Sequence, residues 1–153
     1  GKVRDTSMND CLDSVLVIGK NVIGPKIQID KQYGDIPNIA CSPSQINQVL
    51  LNIVTNAAQA VDSENGKITL RTTFDDESVF TEIEDNGKGI PEDVRAKVFD
   101  PFFTTKAVGE GTGLGLSISY KIIEQHNGKI EVSSEVGKGT KFLITLPRQG
   151  ASA

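Results

Sequence analysis

The 153-residue chain contains no tryptophan, one histidine and two cysteines. A single histidine excludes multi-histidine metal sites. The widely separated Cys11 and Cys41 form no C-x-x-C motif, so neither a zinc site nor a disulfide scaffold is expected. The chain also has no run of 18 apolar residues and no signal-peptide pattern. These absences favour a globular domain from a reducing compartment, and we expect a cytoplasmic location.

Basic residues are in the minority as well. The chain carries 16 lysines and arginines against 20 acidic residues, a net charge of -4. Binding to the phosphate backbone of nucleic acids requires a basic surface, so nucleic acid is not an expected partner. Any polyanionic ligand must instead be held by local groups.

Apolar periodicity, caps and turn residues predict a single α/β domain. The expected helices are 10–20, 43–61, 92–98 and 114–126, and the expected strands are 26–30, 67–74, 78–84, 129–134 and 140–146. We expect an α/β (α+β) two-layer sandwich, in which helices cover one face of a mixed, mostly antiparallel sheet. Residues 1–8 are expected to be the frayed remnant of a linker, 9–148 the domain and 149–153 a tail.

The expected helix over 43–61 has no charged residue. Asn52 and Asn56 are four residues apart and therefore share one face of it. Their carbonyl oxygens suit a hard cation and their N–H groups suit phosphate, and neither adds negative charge. A plain pair of surface amides is the alternative, although a solvated face normally carries Lys or Glu.

Glycine-rich segments supply three further features. Asp85 follows a strand and precedes Gly87 and Gly89, so its carboxylate could accept a hydrogen bond from an exocyclic amine while the glycines approach a flat ring; an ordinary turn is the alternative. Phe99–Lys106 holds three aromatic residues and suggests an anchored but movable segment, or else a satellite apolar cluster. The four glycines within Gly109–Gly115 open a helix and favour anion binding.

Other nucleotide-binding and catalytic patterns are missing. The chain has no G-x-x-x-x-G-K-[ST], no G-x-G-x-x-G and no H-R-D or D-F-G, which excludes a P-loop, a dinucleotide fingerprint and the protein-kinase fold. His126 lies at an expected helix end, where the dipole favours a histidine, and we interpret it as structural and not as a phosphoacceptor.

Taken in order, these segments resemble the ATP-binding catalytic domain of bacterial sensor histidine kinases, of the GHKL ATPase superfamily and the nitrogen-regulation-like subtype. The resemblance covers about residues 9–147. Asn52 and Asn56 match the N box, Asp85–Gly89 the G1 box, Phe99–Phe103 the F box and Gly111–Leu116 the G2 box. The closing hairpin of the family matches Gly137–Pro147.

The resemblance implies a histidine-kinase-like ATPase fold, ATP and Mg²⁺ as cofactors, and a mobile lid over 99–112. It implies catalytic roles for Asn52 and Asn56 as metal ligands. Many family members carry Lys or Arg, then Tyr or His, where this chain has Gln59 and Ala60, so we interpret Lys106 of the lid as the substitute catalytic cation. The implied ATP-binding residues are Asn52, Asn56, Asp85, Gly87, Gly89, Ile90, Phe103, Thr104, Thr105, Lys106, Gly111, Thr112, Gly113, Leu114, Gly115, Leu116 and Thr140.

The chain contains no H-E-x-x-x-P motif, so the resemblance places the phosphoacceptor histidine on a separate dimerisation segment. It also implies a response-regulator receiver domain as partner, a monomeric isolated domain, a homodimeric parent kinase, and a cytoplasmic position even where the parent is membrane-anchored. A serine-directed GHKL kinase of the anti-sigma type and a nucleotide-sensing module without phosphoryl transfer are the alternatives.

Overall fold

The computed structural model describes residues 2–61, 64–100 and 115–148. Its helices are α1 (Met8–Ile18), α2 (Lys20–Ile23), α3 (Pro43–Ala60), α4 (Glu92–Arg95) and α5 (Gly115–Gln125). Its strands are β1 (Arg4–Thr6), β2 (Gln28–Tyr33), β3 (Ile39–Cys41), β4 (Lys67–Phe74), β5 (Ser78–Asp85), β6 (Lys129–Glu135) and β7 (Gly139–Pro147).

Five strands form the main sheet in the order β2-β4-β5-β7-β6. β2 runs parallel to β4, and the other neighbouring strands are antiparallel. Side chains along β5 alternate strictly between half-buried and buried, which shows that one face of the sheet is covered and the other is open. The prediction of a mixed, mostly antiparallel sheet with helices on one face is confirmed.

The hydrophobic core lies between that face and the helices. Fully buried side chains come from α1, α3, α5 and the covered face of the sheet, and they include Leu12, Leu50, Ile53, Leu70, Ile83, Ile123 and Ile144. Each such side chain contributes about 1.5–3 kcal/mol by leaving water, so this layer supplies the main driving force for folding. Cys11 and Cys41 are buried free thiols, and burial raises the pKa of Cys11 to about 11.

The N-terminal segment differs from the expectation that residues 1–8 fray. Arg4–Thr6 forms β1, which pairs with β3 and places Arg4 opposite Cys41. Ser7 caps α1, and Met8 is only 1% exposed. Pairing with a strand more than 30 residues away holds this polar segment, and the local sequence carries no signal of that pairing.

Two further elements have shifted bounds. β2 was expected over 26–30 but covers Gln28–Tyr33, because it pairs in register with β4 and because Asp13 of α1 binds its edge side chains. The Tyr33 hydroxyl donates a hydrogen bond to Asp13 Oδ1 at 3.0 Å, and the Lys31 ammonium lies 2.8 Å from the same oxygen. The short helix expected over 92–98 ends at Arg95, and turns follow it.

Candidate functional site

Helix α3 presents the two asparagines that the sequence singled out. Ser42 caps the helix by accepting a hydrogen bond from the Gln45 N–H at 3.4 Å, and Pro43 occupies the first turn. Apolar residues at helical spacing bury one side of α3 in the core. Asn52 and Asn56 are consequently held half-buried at the edge of that packed face.

Asn52 connects α3 to the first turn of α5. Its Nδ2 donates to the Gly115 carbonyl oxygen at 3.1 Å and to Ser119 Oγ at 3.3 Å. A Cβ added at Gly115 would lie 3.6 Å from the Asn52 amide carbon, so the two segments are in contact. Since both amide protons point to α5, Oδ1 is the atom that Asn52 can offer to a cation.

Asp85 ends β5 on the covered face of the sheet and is only 7% exposed. Its Oδ1 accepts a hydrogen bond from the Gly87 N–H at 2.8 Å. Burial raises the pKa of this carboxyl above its ordinary value, while N–H groups of Gly87 and Thr140 act in the opposite direction. A buried carboxylate of this kind is a strong acceptor for one matched donor, such as an amine.

The segment after Asp85 is packed against two other elements. The Lys88 N–H donates to the Ala60 carbonyl at the end of α3 (3.2 Å), and the Lys88 carbonyl accepts from the Gly137 N–H (2.8 Å). A Cβ at Gly87 would overlap the Ala60 carbonyl, and one at Gly89, whose φ is +75°, would overlap the Glu135 carbonyl. Gly87 and Gly89 are therefore required by close backbone approach.

Thr140 lies directly opposite Asp85 in the β5–β7 ladder and is 5% exposed. Opposite residues of an antiparallel pair place their side chains on the same face, so the hydroxyl and the carboxylate border one corner of the domain. Ser134 completes this corner, since its hydroxyl lies 2.9 Å from Thr140 Oγ1 and accepts from the Ile90 N–H at 2.7 Å.

The remaining predicted residues divide into two groups. Leu116 is partly buried against the core next to Gly115. The other predicted residues of the lid and the G2 box lie outside the described residues: Phe103, Thr104, Thr105, Lys106, Gly111, Thr112, Gly113 and Leu114. Of the F box, Phe99 packs against Tyr120 and Phe142, with ring centroids 5.5 and 6.2 Å apart, as in a satellite apolar cluster.

His126 has a structural role that differs from the one expected. It is 4% exposed, its Nε2 accepts a hydrogen bond from the Ser42 N–H at 3.1 Å, and its Nδ1 lies 2.8 Å from the Ile122 carbonyl. An imidazole that accepts at Nε2 and donates at Nδ1 is neutral, so a charge interacting with the helix dipole is not its role. It instead joins the start of α3 to the end of α5.

Two residues of the site were not assigned a role from the sequence. Asn86 holds the start of β4, because its Oδ1 accepts from the Lys67 N–H and its Nδ2 donates to the Asn65 carbonyl, at 2.8 and 2.9 Å. Ser134 holds Ile90. Both residues bind backbone groups of distant segments. The sequence signal for Asn86 was its position next to Asp85, and that for Ser134 was its position two residues before the turn that joins β6 and β7.

The oxygen atoms that Asn52 and Asn56 can offer a cation belong to neutral groups. Within the described ranges, no cluster of three or more His, Cys, Asp or Glu side chains is placed to hold a metal. Carboxamide oxygens such as those of Asn52 and Asn56 are hard ligands that fit Mg²⁺ when a phosphate supplies the charge.

In the part of the chain that the structure describes, no helix has both the length and the apolar content to cross a membrane.

Comparison with known proteins identifies the family of the chain. Residues 41–150 match the family described as histidine kinase-, DNA gyrase B-, and HSP90-like ATPase. The sensor kinase CckA of Brucella abortus is 41% identical over 92% of this chain, and the histidine kinase/phosphatase NtrB of Vibrio alginolyticus is 39% identical over 96%. The chain spans 16% of the first relative and 45% of the second.

Solved structures of the same family are close in fold. The nucleotide-free catalytic domain of histidine kinase ThkA superposes with a TM-score of 0.82 at 32% identity, over 97% of both chains. A complex of ThkA with the response regulator TrrA matches at a TM-score of 0.81 and 31% identity, covering 96% of this chain and 42% of ThkA. Full-length ShkA in complex with AMPPNP matches at 0.85 and 27% identity, over 99% of this chain and 32% of ShkA.

The similarity to NtrB confirms the nitrogen-regulation-like subtype predicted from the sequence. Sequence, fold and site geometry thus agree that the chain belongs to the histidine kinase-, DNA gyrase B- and HSP90-like ATPases, and within them is an ATP-binding catalytic domain of the sensor histidine kinase type.

Proposed function

We propose that this domain binds Mg·ATP between the Asp85–Thr140 corner and the Asn52–Gly115 contact and delivers the γ-phosphoryl group to a histidine on a separate dimerisation segment. The observation that carries the proposal is the placement of α3. Its last residue, Ala60, bonds the segment after Asp85, and Asn52, eight residues earlier, bonds the start of α5. Eight helical residues span about 12 Å, a distance that one nucleotide can bridge.

The two ends of this site suit the two ends of the nucleotide. At the corner, the Asp85 carboxylate accepts from the exocyclic amine of adenine, and Gly87 and Gly89 let the segment after Asp85 pack closely against Ala60 and Glu135 beside it. At the other end, the N-terminus of the 11-residue α5 favours phosphate, because its backbone N–H groups and dipole attract an anion. Lys106 of the lid is proposed as an additional cation for the phosphates.

Asn52 and Asn56 are proposed to hold the metal through their carbonyl oxygens. Bound Mg²⁺ supplies neutralisation of phosphate charge, which is the main requirement of phosphoryl transfer together with positioning. Asn52 is kept in place for this by its bonds to Gly115 and Ser119.

The same residues explain why the phosphoryl group is kept for a protein acceptor. The resemblance implies that hydrolytic members of the superfamily carry a glutamate base where this chain has Asn52, and a carboxamide cannot remove a proton from water. His126, the one histidine of the chain, is enclosed between α3 and α5 with both ring nitrogens engaged. The phosphoacceptor histidine is therefore supplied by another segment.

The setting of the domain follows from its relatives. The TrrA complex of ThkA supports a response-regulator receiver domain as the final partner. We infer a dimeric parent kinase, a monomeric isolated domain and a cytoplasmic position, where ATP is available.

The proposal is tested with Asn56→Asp in this 153-residue domain. The added carboxylate faces phosphate charge and replaces a neutral ligand, so Mg·ATP affinity and phosphoryl transfer to a dimerisation–histidine domain should fall at least about tenfold. Calorimetry and a trans-phosphorylation assay measure the two effects. Asn127→Asp is the matched control, because Asn127 is exposed after α5 and its φ of +60° suits aspartate.

Unchanged affinity and transfer in Asn56→Asp would contradict the proposal. The acid stability of the phosphoryl group on the acceptor domain distinguishes a histidine kinase from a serine kinase and from a nucleotide-sensing module in the same assay. An acid-labile phosphoryl group identifies phosphohistidine, an acid-stable one identifies a serine kinase, and binding without any transfer identifies a nucleotide-sensing module. The named relatives are histidine kinases, which favours the first outcome.

A further inference from the structure

The Ser134 hydroxyl is the centre of a small hydrogen-bond network behind the Asp85–Thr140 corner. Its oxygen lies 2.7 Å from the Ile90 nitrogen, 2.9 Å from the Gly139 carbonyl oxygen and 2.9 Å from Thr140 Oγ1. Ser134 is half-buried on β6, opposite Thr140 in the β6–β7 ladder. One side chain thus touches the segment after Asp85, the closing turn and Thr140.

The directions of these three bonds follow from the chemistry of the groups. A backbone N–H only donates and a carbonyl oxygen only accepts. Ser134 therefore accepts from Ile90 and uses its single proton for Gly139. The remaining contact has to be a bond that Thr140 donates to Ser134. The Ser134 hydroxyl then donates once and accepts twice, which is its full capacity.

This assignment fixes the hydrogen-bonding role of the Thr140 hydroxyl. Its hydroxyl proton is committed to Ser134, so only its lone pairs remain for a ligand in the corner. The Asp85 carboxylate opposite it also only accepts. Both side chains of the corner consequently present acceptors, which suits an amine or an N–H and opposes a carbonyl.

We propose that Ser134 is a positioning residue for base selection, which locks the Thr140 hydroxyl as an acceptor and so favours a purine with an amine at position 6 over one with a carbonyl there. The inference rests on the proposed nucleotide site and deepens it. Without the Ser134 hydroxyl, Thr140 could rotate and donate to a carbonyl oxygen, and part of the discrimination would be lost. The remaining discrimination between the two purines would come from Asp85 alone.

The test compares ADP with inosine diphosphate, which carries a carbonyl in place of the amine. Calorimetry with Mg²⁺ gives both affinities for the unchanged domain and for Ser134→Ala. We expect the preference for ADP to fall about fivefold in Ser134→Ala, the size of one modest hydrogen bond. Ser134→Thr keeps the hydroxyl and should restore the preference. Ser133→Ala is the matched control, because Ser133 is exposed and lies on the opposite face of β6.

The outcomes separate this inference from the proposed function. Should the unchanged domain bind neither nucleotide, the proposed function fails. If it prefers ADP and Ser134→Ala weakens both nucleotides by the same factor, Ser134 has only a structural role and the inference is overturned. Ser134→Cys keeps the volume but bonds weakly, and it carries the same expectation if Ser134→Ala does not fold.

Discussion

Asp85 shows at the scale of one residue how the site is prepared at the expense of stability. Because burial raises its pKa in the folded domain, the unfolded chain releases this proton at a lower pH. The folded state binds more protons between the two pKa values, so the stability that Asp85 contributes is present at low pH and is lost as the pH rises.

We expect the difference in unfolding free energy between the unchanged domain and Asp85→Asn to be largest near pH 4 and to fall toward neutral pH. Urea denaturation at a series of pH values measures it. Hydrogen bonds altered by the asparagine add a constant offset and leave this slope unchanged. Asp76→Asn makes the same charge change at an exposed turn. A difference that grows with pH would show that hydrogen bonds to Asp85 outweigh its burial.

Gly139 and Gly137 form a natural pair for a second residue-scale prediction. Both have positive φ, +134° and +83°, but a Cβ at Gly139 would overlap the Asp85 carbonyl, whereas one at Gly137 would meet open space. Gly137→Ala should cost about 1 kcal/mol from backbone strain, and Gly139→Ala about 2 kcal/mol more from the overlap.

Urea denaturation of the two glycine variants gives the comparison. Gly139→Ala should also weaken ADP binding, because relief of the overlap moves Asp85. Equal costs for both variants would mean that the β5–β7 contact yields easily and that the site tolerates the shift.

At the scale of elements, His126 fixes how α5 lies against α3. Its two hydrogen bonds join Ser42 before α3 to Ile122 within α5, and Ser42 is 1% exposed. Asn52 makes the second connection between the same helices. The site therefore depends on two polar connections that flank an apolar contact.

His126→Leu should lower the unfolding free energy by about 2 kcal/mol, because it leaves the buried Ser42 N–H without an acceptor. His126→Gln should recover part of this loss, since its side-chain oxygen can accept at the position of Nε2. Chemical denaturation of both variants is the measurement. Equal stability of the two would show that volume, not the hydrogen bond, matters at this position.

Elements with local signals were predicted well, and those without them were not. α3 has a cap, an N-terminal proline and an unbroken apolar period, and the hairpins alternate at period two, so their positions followed from the sequence. β1 depends on Arg4 meeting Cys41, and the extension of β2 depends on Asp13. Ser134 and Asn86 also carry no local signal, because they act on backbone groups that only folding brings to them.

At the scale of the whole molecule, the domain is expected to bind ATP without consuming it. Mg·ATP added to the isolated domain should release phosphate at a negligible rate, because the carboxamide of Asn52 cannot remove a proton from water. A coupled phosphate-release assay measures the rate. A dimerisation–histidine domain added to the same reaction provides the positive control, because ADP and the phosphorylated histidine should then form, which shows that the bound Mg·ATP is competent for transfer. Steady turnover like that of a dedicated ATPase would contradict this expectation.

The strand order places β5 in the middle of the sheet, with β4 on one side and β7 on the other. Strands at the margins of a sheet exchange their amide hydrogens through local opening, whereas a central strand exchanges only when the whole domain opens. Asp85 and Thr140 lie on β5 and β7, which are both interior strands, so we expect the strands that carry this corner to open only with the whole domain, whereas the marginal β6, with Ser134, opens earlier.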